Sequence, residues 1–179
     1  AEKEAWRIAK AQSRWSFVVM NPALILGPSQ TVASDSGSLF LVDEMMRGRL
    51  FFGLPNWAMA TVDIREVAQA HIAAARDPKA QGRYILAAPE MISLIDMARV
   101  FRTVHKRPWL LPRVQLPDWL VMTFGPIWGL GRDYMRKHLG IRFKLDNSRS
   151  IKELGITYRP IEETLVDHYR SWVALREQL

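Results

Sequence analysis

The sequence predicts an α/β fold, with strands of a parallel sheet alternating with helices. Short β-branched and aromatic runs at 15–20, 57–62 and 83–88 are interleaved with segments whose apolar residues recur at helical spacing. Directly after the second run, Asp63-Ile64-Arg65-Glu66 has the spacing of a capping box, the sharp strand-to-helix junction of a βα unit. With 179 residues, 49% of them apolar, the chain can bury a core of ordinary domain size.

Ala1 to Lys10 reads as the body of a helix with no Ser, Thr, Asp or Asn before it to accept its first amides, so a carboxyl-terminal piece of a longer protein is expected. Trp15 to Met20 suits a buried parallel strand, stopped by Pro22 and Gly27-Pro28, and one missing sheet neighbour would leave its edge open. From Ser38 a helical pattern runs through Leu39, Leu41, Val42, Met45 and Met46 to Gly48, with Ser38 as cap and Gly48 as stop. Trp57 to Val62 reads as the next strand and Val67 to Ala75 as the helix that the capping box opens. Arg83 to Ala88 is a further strand ended by Pro89, and Ser93 to Asp96 caps a helix carrying Met97, Val100, Phe101 and Val104.

Arg107 to Gly131 is rich in Pro, Trp and Leu and reads as a lid or pocket wall. Its apolar part is broken by Pro117, Asp118, Gly125 and Pro126, whereas a span needs ~20 mostly apolar residues, so no transmembrane span is expected. Ile141 to Asp146 is expected as a short strand. Pro160, Glu162 and Glu163 open a last helix with Ile161, Leu165, Tyr169, Trp172 and Leu179 on one face.

The net charge is +7 and the pI about 10.0, but Lys and Arg are spread from Lys3 to Arg176 with no long basic block, so nucleic acid is not expected as a partner. The absence of Cys excludes disulfides, a thiol nucleophile and Cys-based metal sites. His71, His105, His138 and His168 lack metal-ligand spacing, and no metal is expected. Asp63 and Glu66 suit capping better than acid–base work. No signal sequence is visible, and a cytoplasmic location is the default expectation.

Four strings in order carry a family resemblance: Ala1-Glu2-Lys3-Glu4-Ala5-Trp6, Asn21-Pro22-Ala23-Leu24-Ile25-Leu26-Gly27-Pro28, Val62-Asp63-Ile64-Arg65-Glu66-Val67-Ala68-Gln69-Ala70-His71, and Asp146-Asn147-Ser148-Arg149-Ser150 with Leu154-Gly155-Ile156. Together they resemble the second half of the extended short-chain dehydrogenase/reductases, in the dihydroflavonol-reductase-like and NAD-dependent epimerase/dehydratase branch. The resemblance implies the carboxyl-terminal part of a Rossmann-type doubly wound parallel sheet plus a small, mostly helical substrate-binding subdomain. Residues 1–28 and 56–90 would belong to the sheet, and 29–55 with 91–179 to the subdomain.

In that family a Tyr-x-x-x-Lys pair moves the proton, the Lys lowering the Tyr pKa, and a Gly-rich turn holds the cofactor phosphates. Neither is present here. Tyr134 stands three residues before Lys137 rather than four, and Gly125-Pro126-Ile127-Trp128-Gly129-Leu130-Gly131 follows no strand and reads as a bend between helices. No catalytic residue is therefore assigned, and the chain is expected to be inactive by itself. The resemblance implies NAD or NADP as cofactor, with Pro22, Ala23, Leu24, Ile25 and Ser38 beside the nicotinamide. Met45, Phe52 and Trp57, with Met46, Phe51 and the Trp109 to Trp128 stretch, would line a pocket for a hydrophobic small-molecule substrate, a carbonyl/alcohol pair. A homodimer through Glu4 to Lys10 is a further implication. The competing expectations are a non-catalytic binding module and a peripheral membrane protein using Pro108 to Leu130.

Overall fold

A computed structural model describes residues 1–29, 37–128 and 131–177. In chain order the elements are α1 (Glu2–Lys10), β1 (Val18–Pro22), β2 (Leu24–Leu26), α2 (Gly37–Met46), β3 (Ala58–Met59), β4 (Thr61–Asp63), α3 (Ile64–Arg76), β5 (Gly82–Leu86), β6 (Ile92–Ser93), α4 (Leu94–Val104), α5 (Asp118–Phe124), α6 (Arg132–His138), α7 (Ser148–Leu154) and α8 (Ile161–Arg176). The α/β expectation holds, and the strand pairs that build the sheet are parallel. β1 runs with β5, Met20 opposite Tyr84 and Pro22 opposite Leu86. β2 runs with β4, Leu24 opposite Thr61. A short antiparallel pair, β3 with β6, lies apart from them. Among the described residues β1 has one strand neighbour, β5, so its other edge is open, as expected for the 15–20 run.

The junction at Asp63 forms as its residues dictate. The Asp63 carboxylate accepts from Arg65 N at 2.8 Å and Glu66 reaches back to Asp63 N at 3.3 Å, so both halves of the capping box are made. Ser93 likewise caps α4, its Oγ accepting from Asp96 N at 3.1 Å. After α2 the chain turns at Gly48, φ +77°, and a Cβ there would meet Leu110 Cβ at 2.8 Å, which only Gly avoids.

Three sequence expectations are corrected. The 57–62 run is not one strand: it breaks at Ala60 into β3 and β4, which serve different partners. Leu24 to Leu26, beyond the stop expected at Pro22, is a second strand, because β4 offers it a parallel edge. Ile141 to Asp146 forms no strand; Ile141 to Lys144 are exposed, and no strand among the described residues lies alongside them.

Two apolar cores form. Val62, Val67, Ala70, Tyr84, Leu86, Leu154 and Ile156 fill the space between the β1–β5 pair, α3 and α7. The second joins Val42, Met45 and Met46 of α2 to Leu94, Met97 and Phe101 of α4 and Leu165 and Tyr169 of α8. Alternation along β2 sends Leu24 toward the second core and Ala23 and Ile25 toward the first. The crossover between the strand pairs is thereby fixed from both sides.

Candidate functional site

Open parallel sheets bind their ligands beyond the carboxyl ends of their strands. Here those ends are Pro22, Leu86, Leu26 and Asp63. At the first, Asn21 and Pro22 are the exposed residues of β1. The chain then passes straight into β2: Ala23 N donates to Leu86 O at 2.8 Å and Leu24 N to Ala60 O at 3.1 Å. Pro22 has no amide hydrogen, so along Pro22-Ala23-Leu24 no main-chain donor is left for a ligand. What this stretch presents outward is the Pro22 ring and the Asn21 side chain, which makes no hydrogen bond among the described residues. Asn21 is not among the site residues expected from sequence; its place beside Pro22 at a strand's carboxyl end is the signal that finds it. Ala23, Leu24 and Ile25 are half-buried and pack into the cores. Ser38 falls inside the first turn of α2, which opens at Gly37, and its side chain lies outside the described residues.

Behind the edge lies a knot of charge. Asp63 is fully buried, and its carboxylate receives Arg65 Nε at 2.9 Å and Nη2 at 2.8 Å. Burial pushes the Asp63 carboxyl up, but hydrogen bonds from Arg65, side chain and main chain, and from Thr164 outweigh it and hold the group below the usual carboxylate range. Arg65 also reaches Asp167 at 2.8 Å, joining α3 to α8. Glu66 receives Arg159 N at 2.8 Å and Nε at 3.1 Å. Gly27, φ +111°, lets the chain pass so close that a Cβ would lie 3.0 Å from an Asp63 oxygen. With every oxygen engaged, Asp63 and Glu66 hold the strand-to-helix junction in place, in keeping with the capping expectation.

The expected substrate residues sit in different surroundings. Met45 is wholly buried in the α2–α4–α8 core. Trp57 packs on the same core with no partner for its Nε1–H among the described residues and its ring edge-on to Tyr134, centroids 5.7 Å apart. Phe52 alone lines a cleft, about 270 Å³ in volume, with Leu116, Leu120, Val121 and Phe124.

Tyr84, Tyr158 and Tyr169 are committed to structure: Tyr84 Oη donates to Glu153 at 2.7 Å, Tyr158 Oη lies 2.8 Å from Ser150 Oγ, and Tyr169 Oη accepts from Lys106 N at 2.8 Å. Tyr134 stacks on His138, centroids 3.9 Å apart. Gly125 to Trp128 form a short helical turn after α5, while Gly129 and Leu130 lie outside the described residues. Among the described residues no group of His, Asp and Glu could hold a metal ion, and no helix is long and apolar enough to cross a membrane.

No family model matches the chain. Cinnamoyl-CoA reductase 1 of Arabidopsis thaliana is 39% identical over 171 residues, 96% of this chain and 43% of the reductase. Cinnamoyl-CoA reductase 2 of the same plant is 28% identical over 171 residues, 96% of this chain and 45% of that protein. This chain belongs to the extended short-chain dehydrogenase/reductases. Among solved structures of that family's fold, yeast methylglyoxal/isovaleraldehyde reductase Gre2 complexed with NADPH superposes with a TM-score of 0.75 at 21% identity, over 99% of this chain and 50% of Gre2. A nucleoside-diphosphate-sugar epimerase from Pseudomonas aeruginosa gives 0.67 at 15% identity, over 97% of this chain and 52% of the epimerase. The chain thus spans less than half the length of these curated relatives, and carries the short-chain dehydrogenase/reductase fold as part of a Rossmann-type sheet with helices beside it.

Proposed function

We propose that this chain supplies the nicotinamide-facing sheet edge and the substrate subdomain of an NAD(P)-dependent oxidoreductase that acts on the carbonyl/alcohol pair of a hydrophobic small molecule, and that it turns nothing over by itself. The observation that carries the reading is the exposed Asn21–Pro22 edge at the carboxyl ends of the parallel β1–β5 pair. Bound there, the nicotinamide supplies the hydride chemistry. The Pro22 ring offers it a rigid apolar surface, and Asn21 has both a donor and an acceptor for a carboxamide. Ala23, Leu24 and Ile25 act from behind by fixing that edge, and Ser38 follows from the family resemblance. Residues 1–28 and 56–90 form the cofactor side in this reading. The cleft at Phe52, with Trp57 and Met45 supporting its surroundings, belongs to the substrate side at 29–55 and 91–179. Relatives named for cinnamoyl-CoA and for isovaleraldehyde support a substrate whose carbonyl bears an apolar tail.

The test is a chimera in which this chain replaces the matching part of Arabidopsis cinnamoyl-CoA reductase 1, assayed with cinnamoyl-CoA and either NADPH or NADH beside the chain alone. Turnover by the chimera and none by the chain supports the proposal. A folded chimera that binds neither cofactor would sink it.

A further inference from the structure

We infer that the apolar face around the Phe52 cleft seats on an anionic membrane surface, with the exposed Arg107 and Arg113, on the segment that leads into one wall of the cleft, meeting lipid phosphates. The inference concerns the same cleft that the redox reading gives to the substrate side, but does not rest on that reading.

The face is built from segments distant in sequence. The stretch after α2 lies against residues 110–116: Leu54 N donates to Val114 O at 3.1 Å, and Leu116 N to Leu54 O at 2.8 Å. A Cβ on Gly53 would collide with Leu116 at 2.7 Å. α5 closes the other wall, turning Leu120, Val121 and Phe124 into the cleft. Large apolar side chains remain in solvent around it: Phe51 is 67% exposed, Trp109 65%, Val114 55% and Trp119 67%. Scattered apolar residues on a surface need no explanation, but a contiguous set around a groove marks an interaction site. Trp with aliphatic neighbours is the mixture that enters the headgroup–acyl boundary.

Charge identifies the occupant. From Met97 to Pro117 the chain carries Arg99, Arg102, Lys106, Arg107 and Arg113 and no Asp or Glu; Asp118 opens α5. Arg99 and Lys106 pair with Asp96 and Glu177, whereas Arg107 and Arg113, both exposed, have no acidic partner among the described residues. Arg102 donates to Pro112 O, and its guanidinium is pushed below the usual range by burial and by the charges of Arg113 and Arg99. Arg102 and Arg113 thus repel each other, and neither has an acidic partner among the described residues. An anionic leaflet relieves that repulsion and at the same time buries the apolar rim. A second copy of this chain would instead oppose cation to cation across a twofold contact, since such an interface is self-complementary.

The experiment is co-sedimentation of the full chain with phosphatidylcholine vesicles, with and without phosphatidylserine, in low and high salt. Expected are pelleting with phosphatidylserine only, a blue-shifted Trp emission, and loss in high salt. Arg107→Gln and Arg113→Gln should each weaken partitioning about fivefold, the scale of one basic side chain near an anionic leaflet. Trp119→Asp should abolish it with an unchanged circular dichroism spectrum; if that variant misfolds, Trp119→Ser and the Arg variants decide. No binding, equal binding to neutral vesicles, binding indifferent to both Arg variants, or a dimer in sedimentation velocity that buries the same tryptophans would each overturn the inference.

Discussion

His168 Nδ1–H donates to the carbonyl oxygen of Gly27 at 2.7 Å, tying the middle of α8 to the turn that follows β2. The imidazole is buried, and burial holds its pKa below the ordinary 6.5, although the Gly27 carbonyl and the Asp63 charge pull it partly back. The folded state therefore prefers the neutral ring. As pH falls below about 6.5 the unfolded chain takes up a proton that the folded one refuses, so stability drops down to the lowered folded pKa and is unaffected by this group above 6.5. Urea midpoints at about pH 7.5 and pH 5.5 measure it. The wild-type midpoint should fall, while His168→Gln should lose about 1 kcal/mol at the higher pH and show a smaller fall. Equal falls in both proteins would refute the assignment.

Glu66 carries a larger share. Its buried carboxylate meets the Asp63 main chain and both the main chain and guanidinium of Arg159, so it ties α3 to the segment that leads into α8. Glu66→Ala leaves the Arg159 Nε–H and the amides of Asp63 and Arg159 without their acceptor, though Glu163 still pairs with the guanidinium, and should cost about 3 kcal/mol. For a chain of this length that is a melting-temperature loss of roughly 6–12 °C. Glu66→Gln keeps the shape and one acceptor oxygen and should recover a good part of it. Calorimetry of the two variants gives the order, and an alanine variant that melts with the wild type would mean that the contact adds nothing.

How far the sequence reveals this molecule depends on how local each signal is. The capping box at Asp63–Glu66 and the Ser93 cap were legible because donor and acceptor lie within one turn. β2 was not, since a strand of Leu24 to Leu26 is defined by β4, far along the chain, and its Pro22 and Gly27 borders read as loop. Ile141 to Asp146 has strand composition but no neighbouring edge among the described residues, and composition does not reveal edges. Met45 was expected in a pocket because Met and aromatic residues line pockets and cores alike. At the site, Pro22 stands exposed as the last residue of β1. His168 had a readable signal: it stands three residues after Leu165 and one before Tyr169, on the apolar face of α8, where a His must find a buried partner.

Asp43 couples α2 to α8. Its Oδ1 accepts Trp172 Nε1 at 2.7 Å and Arg176 Nη2 at 2.8 Å, and the Arg176 guanidinium lies 4.4 Å from the centre of the Trp172 ring. Asp43→Ala should cost about 2 kcal/mol and Trp172→Phe about 1 kcal/mol. Because both remove the same bond, the double variant should lose less than the sum, by about 1 kcal/mol. Denaturant titration of the four proteins in this cycle checks the coupling; simple additivity would show that the helices are held by the apolar core alone.

Pro22 allows the sheet edge itself to be tested in the chimera. The residue fixes its own φ at the end of β1 and is exposed, so Pro22→Gly removes rigidity from the proposed nicotinamide-facing surface without opening a cavity. Releasing one backbone position costs about 1 kcal/mol, which should appear as a roughly fivefold rise in the Kd for NADPH and the same rise with NADH, because the change lies at the ring and not at the ribose phosphate. Asn21→Ala should add to the loss, as its side chain has no structural partner to disturb among the described residues. Fluorescence titration of reduced cofactor reads both constants, and thermal melts separate a binding loss from unfolding. Unchanged affinity for both cofactors in a folded Pro22→Gly chimera would place the nicotinamide away from this edge.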